Sequence, residues 1–413
     1  MFLTKKNEFL SRTELYELNQ RMAFRSAHVT PQMDQPSYPL LHLFYHLALE
    51  GKLFLSAIGN GSRVTLQPTD RLALYEELSP CEKYFFLLET FWIDTDWRKL
   101  QGAYFREPPY NEMPFVLELL SNIPPGREFQ FRKGNQWIDN SFGSYFFLLQ
   151  YFWLFLDYFG FWHVTLEKGL QRKQERNRWC LAESITPTIL GVTIAPILQK
   201  VRPIYRWNIP YRCKFGEWNI IPGSPSPSEE IASPFKTGIP KRKKKSASLK
   251  PIKELDEPFI QPFTSLCAEG ELKRTLPLVT QKFVDGIYIF RVALSTTLWR
   301  RLEIAADNTL LDLHNTIQKA YNFDDDHLYA FFLDGKAWSH KRFTSPEDED
   351  GPHVDEVRIG ELGLFVGQRL LYLFDFGDQW RFSIRLEKIF QDESKPLEPR
   401  VIEQKGRNPN QYG

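Results

Sequence analysis

Residues 38–50 place apolar side chains at helical spacing, and Gly51 follows as a stop. Residues 53–57 then read as a strand, Gly59-Asn60-Gly61 as a tight turn and 63–67 as the return strand. Pro68-Thr69 opens the next helix. The same order recurs further along. An aromatic helix over 145–158 ends at Gly160, 161–166 is predicted as a strand, and 179–185 as its return. Thr186-Pro187-Thr188 opens another helix, and 168–178 make a polar tip rich in Arg and Lys. Helix, hairpin and helix, with a polar tip as the wing, is a winged-helix-like layout. Residues 1–220 are therefore expected to be mainly helical and winged-helix-like, as one region or as two units of about 35–100 and 140–205.

A second internal likeness competes with this one. Tyr84-Phe-Phe-Leu-Leu-Glu-Thr-Phe-Trp92 matches Tyr145-Phe-Phe-Leu-Leu-Gln-Tyr-Phe-Trp153 at seven of nine positions. Its shift is 61, whereas Gly51 and Gly160 are 109 apart. Both cannot belong to one simple repeat.

From Gly286 the pattern changes to strands. Residues 287–294 and 298–305 alternate well enough for two strands, and Asp307 or Asn308 can cap a helix over 309–321. Leu310, Leu313, Ile317 and Ala320 share one face of that helix. Residues 327–333 form another strand, and 369–374 pairs with 380–387 as a hairpin across Asp375-Phe-Gly-Asp378. The expectation for 284–413 is an α+β (β-grasp-like) domain with one crossing helix. Between the two regions, 221–283 reads as a Pro/Ser-rich and then basic linker.

Charge sharpens that division. The chain of 413 residues holds 52 Lys and Arg against 51 Asp and Glu, a net +1. Residues 1–234 are net +1, 235–283 net +6 and 284–413 net −6. Neutrality is a cancellation. Lys241, Arg242, Lys243, Lys244 and Lys245, with Arg172, Lys173, Arg176 and Arg178 of the tip, are the candidate phosphate contacts. The linker cluster reads equally as a solvated spacer or as a segment folding back on the acidic domain. An aromatic share of 15% excludes a disordered chain, and most of these rings fall in apolar runs that suit cores.

The N-terminus has no signal-peptide pattern. The apolar run 145–162 is broken by Gln150 and Asp157, too short for the ~20 residues of a spanning helix. Cys81, Cys180, Cys213 and Cys267 show no C-x-x-C spacing and read as four reduced thiols of a cytoplasmic protein.

His314, His327, Asp375, Asp378 and Trp380 form the best polar constellation. Two carboxylates three residues apart, beside an imidazole, suit a divalent cation. The plainer reading is a turn in which the Asp side chains bond turn amides. Asp324-Asp325-Asp326 reads as a solvated turn, and no P-loop, G-x-S-x-G or H-E-x-x-H occurs. No catalytic residue and no resident cofactor is assigned.

Leu298-Trp-Arg-Arg301, Leu310-Leu-Asp-Leu-His-Asn-Thr-Ile-Gln318, Asp326-His-Leu-Tyr-Ala-Phe331 and Leu371-Tyr-Leu-Phe-Asp-Phe-Gly-Asp-Gln-Trp380 together resemble the plasmid pRiA4b Orf-three-like family of bacterial proteins. The resemblance covers about 284–413. It implies a compact α+β module without an established reaction, found among plasmid and insertion-element reading frames. Tyr329 stands where the family often has a second His, and Phe382 where a His often follows the Trp. These departures weaken a His-based metal role. The resulting expectation is a non-enzymatic protein, accessory to a plasmid or transposable element, that contacts DNA or a protein partner and no membrane. The alternative is a metal-dependent hydrolase or ligand-binding module centred on the Asp375–Asp378 turn.

Overall fold

The computed structural model describes residues 1, 3–4, 9–27, 29–58, 64–101, 108–133, 136–137, 149, 151–166, 182–215, 217, 220–226, 257–276, 283–339, 341–348, 351–390 and 398–411. The chain divides into two compact units, Met1–Arg212 with Ile220–Pro277, and Cys213–Asn219 with Leu278–Gly413. The first is rich in helices and the second is built on a large antiparallel sheet, so the coarse expectation of a multidomain chain with an α+β C-terminal part holds.

The helical unit opens with α1 (Arg12–Arg21), where Ser11 and Glu14 form a reciprocal capping box, and α2 (Pro39–Glu50). Strands β1 (Phe54–Ile58) and β2 (Val64–Pro68) pair antiparallel and lead into α3 (Asp70–Glu76). Then follow α4 (Pro80–Glu89), α5 (Trp97–Gln101), α6 (Met113–Asn122) and the short strands β3 (Phe129–Gln130), β4 (Arg132–Lys133) and β5 (Gln136–Trp137). Helix α7 (Phe152–Tyr158) precedes the pair β6 (Trp162–Leu166) and β7 (Ala182–Pro187), and α8 (Ile189–Lys200), α9 (Ile204–Trp207) and α10 (Ile209–Lys214) follow. Trp92, Trp97, Trp153 and Trp162 are fully buried, so the aromatic share fills this core. No described helix is long and apolar enough to cross a membrane.

The two helix–hairpin–helix stretches match bond for bond. At the end of α2 the Leu53 amide donates to the Ala48 carbonyl and Lys52 to Leu49; at the end of α7 Phe161 donates to Leu156 and Gly160 to Asp157. Each pair is the two-bond Schellman cap. The shift is therefore 108, as from Ala48 to Leu156, and not the 109 of the glycines. The residue in the left-handed conformation is Lys52 (φ 58°) in one copy and Gly160 (φ 74°) in the other. The hairpin pairing agrees, with Phe54 opposite Pro68 and Trp162 opposite Pro187. Thr69 and Thr188 then close the two units alike, each hydroxyl donating to the carbonyl of its left-handed residue, at 2.6 Å to Lys52 and 2.5 Å to Gly160. The 61-residue echo has no such match among the described residues.

Residues 257–276 lie within the stretch read as linker, yet they pack on this unit. Phe263 is fully buried against Phe85 and Phe259, and the buried Arg202 donates to the carbonyls of Phe259 and Pro258. Glu82 completes the capping box of α4 with one carboxylate oxygen and accepts the Lys273 and Arg274 amides with the other. Cys81 and Cys267 form a disulfide, with Cα atoms 6.5 Å apart. This corrects the expectation of four reduced thiols, because a pairing across a sequence separation of 186 leaves no trace in cysteine spacing. Cys180 lies outside the described residues.

In the second unit seven strands run β8 (Ile287–Ala293), β9 (Trp299–Ala305), β10 (Tyr329–Phe332), β11 (Arg342–Thr344), β12 (Arg369–Phe374), β13 (Trp380–Phe390) and β14 (Arg400–Lys405). Their order across the sheet is β11-β10-β12-β13-β8-β9-β14, every ladder antiparallel. One helix, α11 (Leu310–Tyr321), packs on one face through Leu310, Leu313, Ile317 and Tyr321, all fully buried. Its cap is Thr309 with Asp312 at the third position, not Asp307 or Asn308. Asn308 instead bonds the Ala305 amide and Asp312.

One feature of the helical unit makes stability depend on pH. Helix α4 runs into a π-helical turn, Thr90–Asp94, whose period of five puts Glu89 and Asp94 on one side. Burial pushes the Glu89 carboxyl up to about 7, against the opposing pull of the Thr275 hydroxyl and the Arg71 and Arg202 charges. Burial and then the Glu89 charge push Asp94 up to about 7. The folded state thus holds protons that the unfolded chain releases near pH 4, so stability falls as pH rises from about 4 through 7. Glu89→Gln should raise the unfolding free energy at pH 8 by roughly 1–2 kcal/mol relative to its effect at pH 4.5. Denaturant unfolding at the two pH values checks this, and an equal effect at both would remove Glu89 as the cause.

Candidate functional site

Helix α11 turns two polar side chains, His314 and Gln318, toward the sheet, one helical turn apart. Both are buried, so each needs a partner. Tyr372 of β12 supplies it. Its hydroxyl lies 2.8 Å from His314 Nδ1 and accepts from Gln318 Nε2 at 2.8 Å. An amide NH₂ can only donate, which leaves the phenol proton for His314 Nδ1. The imidazole proton is then on Nε2, 3.0 Å from Asp325 Oδ1. The chain Gln318–Tyr372–His314–Asp325 therefore has one direction and runs from the core to a half-exposed carboxylate. The Tyr329 ring stacks on the imidazole at 3.6 Å and 7°.

Burial lowers the His314 pKa, with the Asp325 hydrogen bond and charge opposing it, and raises that of Tyr372 well above the usual phenol value. Histidine and phenol are both neutral at pH 7. Asp325 was read as part of a solvated turn; here it holds the outer end of a buried chain. The readable signal was two polar residues at core-facing positions of an amphipathic helix.

The second half of the constellation is separate. His327 Nε2 lies 3.5 Å from Asp375 Oδ2 and 3.7 Å from Asp326 Oδ1. Asp375 is in the left-handed conformation (φ 55°), and its Oδ1 accepts from the amides of Gly377 (2.8 Å) and Asp378 (3.2 Å). That is the turn reading, an Asp side chain bonding its own loop. The exposed Asp378 contributes its amide. Trp380 packs edge-on against Phe323, with its indole Nε1 buried and without a hydrogen-bond partner among the described residues. Among the described residues, no three of His, Cys, Asp and Glu gather in a way that could hold a metal ion. His314 and His327 thus face different carboxylates and form no common centre.

The motif Leu298-Trp-Arg-Arg301 divides by face. Arg300 is buried, lies over the Tyr321 ring and donates to the carbonyls of Ala320 and Lys405, fastening helix and tail. Arg301 points to the opposite face, between Glu387 and Glu403. Phe382 is buried against Tyr321 and Tyr372, so its position, like that of Tyr329, serves aromatic packing. The phosphate-contact candidates Arg172, Lys173, Arg176, Arg178 and Lys241, Arg242, Lys243, Lys244, Lys245 lie outside the described residues.

Tyr372→Phe removes one hydroxyl and strands two buried groups, His314 Nδ1 and Gln318 Nε2. The expected loss is about 1–3 kcal/mol of stability, read by denaturant unfolding at pH 8. Because the His314 pKa is lowered on folding, its share of stability is present above about pH 6.5 and is lost as pH falls below that. A His314→Gln variant should show a shallower decline in stability between pH 7 and 5.

The chain is 32% identical over 96 residues to the uncharacterised protein y4hQ of Sinorhizobium fredii, a match covering 22% of this chain and 46% of that protein. The chain thus spans about half the length of this curated relative. A crystal structure of a protein of unknown function, MM3350 of Methanosarcina mazei Go1, matches at 23% identity and a TM-score of 0.27, covering 30% of this chain and 72% of that one. Residues 287–411, the whole described sheet with its crossing helix, match the model of the plasmid pRiA4b ORF-3-like protein family.

Proposed function

We propose that the protein is a nucleic-acid-binding accessory factor of a plasmid or transposable element, with a winged-helix-like unit as its DNA contact. The carrying observation is the second helix–hairpin–helix stretch. Its arms β6 and β7 pair antiparallel, and α8 follows from the Thr188 cap as the second helix does in the first copy. The residues joining the arms, 167–181, include Arg172, Lys173, Arg176 and Arg178, whereas the first hairpin is joined by 59–63 alone. A joining segment of this length that carries four cations suits phosphate contacts of the wing type. The 241–245 cluster adds charge that does not read sequence. The plasmid in the family description of the C-terminal domain supports the mobile-element setting.

The test is a titration of fluorescent duplex DNA at several salt concentrations. Wild type is compared with a chain in which Arg172, Lys173, Arg176 and Arg178 are changed to Gln, and with one in which 241–245 are neutralised. Removing four phosphate contacts should weaken binding at least tenfold at 0.1 M salt and flatten the salt slope by about 3 to 4. Equal affinity and slope for wild type and the hairpin variant would end the wing reading.

A further inference from the structure

The strand register of the second unit assembles a row of arginines that sequence order hides. Arg369 of β12 is opposite Arg385 of β13, Arg385 is opposite Arg291 of β8, and Arg291 is opposite Arg301 of β9. Directly opposed residues of an antiparallel sheet point to the same face, with Cα atoms about 5 Å apart. The four arginine Cα positions therefore form one line about 15 Å long across four adjacent strands. This is the face away from α11, since the flanking residues Leu370, Ile384, Leu386, Val292 and Leu302 are buried on the helix side.

Only one end of the line is neutralised. Arg301 is held by Glu387 and Glu403. Arg291 lies over the Trp299 ring at 4.9 Å, and Arg369 and Arg385 are exposed with no acidic partner among the described residues. Like charges directly opposite one another destabilise a sheet. Three arginines in register without an acidic partner among the described residues offer an anion a row of cationic contacts.

We propose that this sheet face binds single-stranded nucleic acid, with Arg369, Arg385 and Arg291 on successive phosphates. Trp299 lies beneath both Arg291 and Arg301 and props the row rather than stacking on a base. A row of planar guanidinium groups suits an extended polyphosphate. The site is independent of the hairpin, lies in the other unit and rests on a different observation.

The experiment uses the full chain and a fluorescein-labelled oligothymidylate, with oligouridylate and polyglutamate as further probes. The triple variant Arg291→Gln, Arg369→Gln, Arg385→Gln should lose at least tenfold in affinity for the oligonucleotides at 0.1 M salt. Its salt slope should be shallower by about 2, from three contacts at about 0.7 each. The variant loses like-charge repulsion together with the Arg291–Trp299 contact, two opposing effects, so its thermal midpoint should stay close to that of wild type, which separates lost binding from lost folding. The hairpin variant serves as the second arm and should keep this component of oligonucleotide binding. No oligonucleotide binding by wild type, or unchanged affinity and slope in the triple variant, overturns the proposal. So does a loss confined to polyglutamate, which would make the face a site for acidic peptide.

Discussion

A strand turns alternate side chains to opposite faces, and in the C-terminal domain α11 covers one of them, while the other carries a small buried cluster (Ala330, Phe332 and Leu373) and, beside it, a stretch left open to water. The other features of that domain follow from this constraint. On the covered side no group can fall back on water, so the polar residues that α11 carries inward must satisfy one another. Gln318 Nε2, the Tyr372 hydroxyl and His314 Nδ1 do so in series, with Asp325 3.0 Å beyond His314 Nε2, while Gln318 Oε1 stays buried without a partner among the described residues. On the uncovered side a charge keeps its hydration. Arginines can therefore stand in register there, an arrangement that the low dielectric of the core would forbid.

The same constraint decides what the sequence could reveal. Alternation over 380–386 and the apolar stripe of Leu310, Leu313 and Ile317 were legible, because burial imposes a period on each of these elements locally, whereas 287–290 is buried on both faces. The turn at Asp375 was legible for a similar reason, since its bonds close within three residues. Strand order is not a local property. Arg291, Arg301, Arg369 and Arg385 are scattered in the chain and meet only once β13 is paired with both β12 and β8. The constellation at His314 and His327 was half legible. Both histidines do face carboxylates, but Asp325 lies against His314 and Asp375 against His327.

In the helical unit, glycine misled by one residue. Gly51 looked like the left-handed cap that Gly160 is, yet Lys52 takes that conformation and Gly51 stays right-handed. A side chain at Gly51 would lie 3.0 Å from the Phe86 ring and 2.8 Å from the Leu47 carbonyl, so the glycine is required there for space. The repeat is therefore defined by its hydrogen bonds more securely than by residue identity. The bonds set where each hairpin starts, while identity at any one position answers to its own neighbours.

Net charge conceals a further arrangement within the acidic domain. A total of −6 says nothing of where the charges lie. Asp324, Asp325, Asp326, Glu347 and Asp348 sit in loops, whereas the arginine row crosses the middle of the sheet. At physiological salt a charge is felt over roughly 8 Å. A ligand lying on the uncovered face thus responds to the arginines beneath it and little to acids at the rim. An acidic domain with one cationic row is accordingly better suited to select the orientation of an anionic chain than a uniformly basic surface would be.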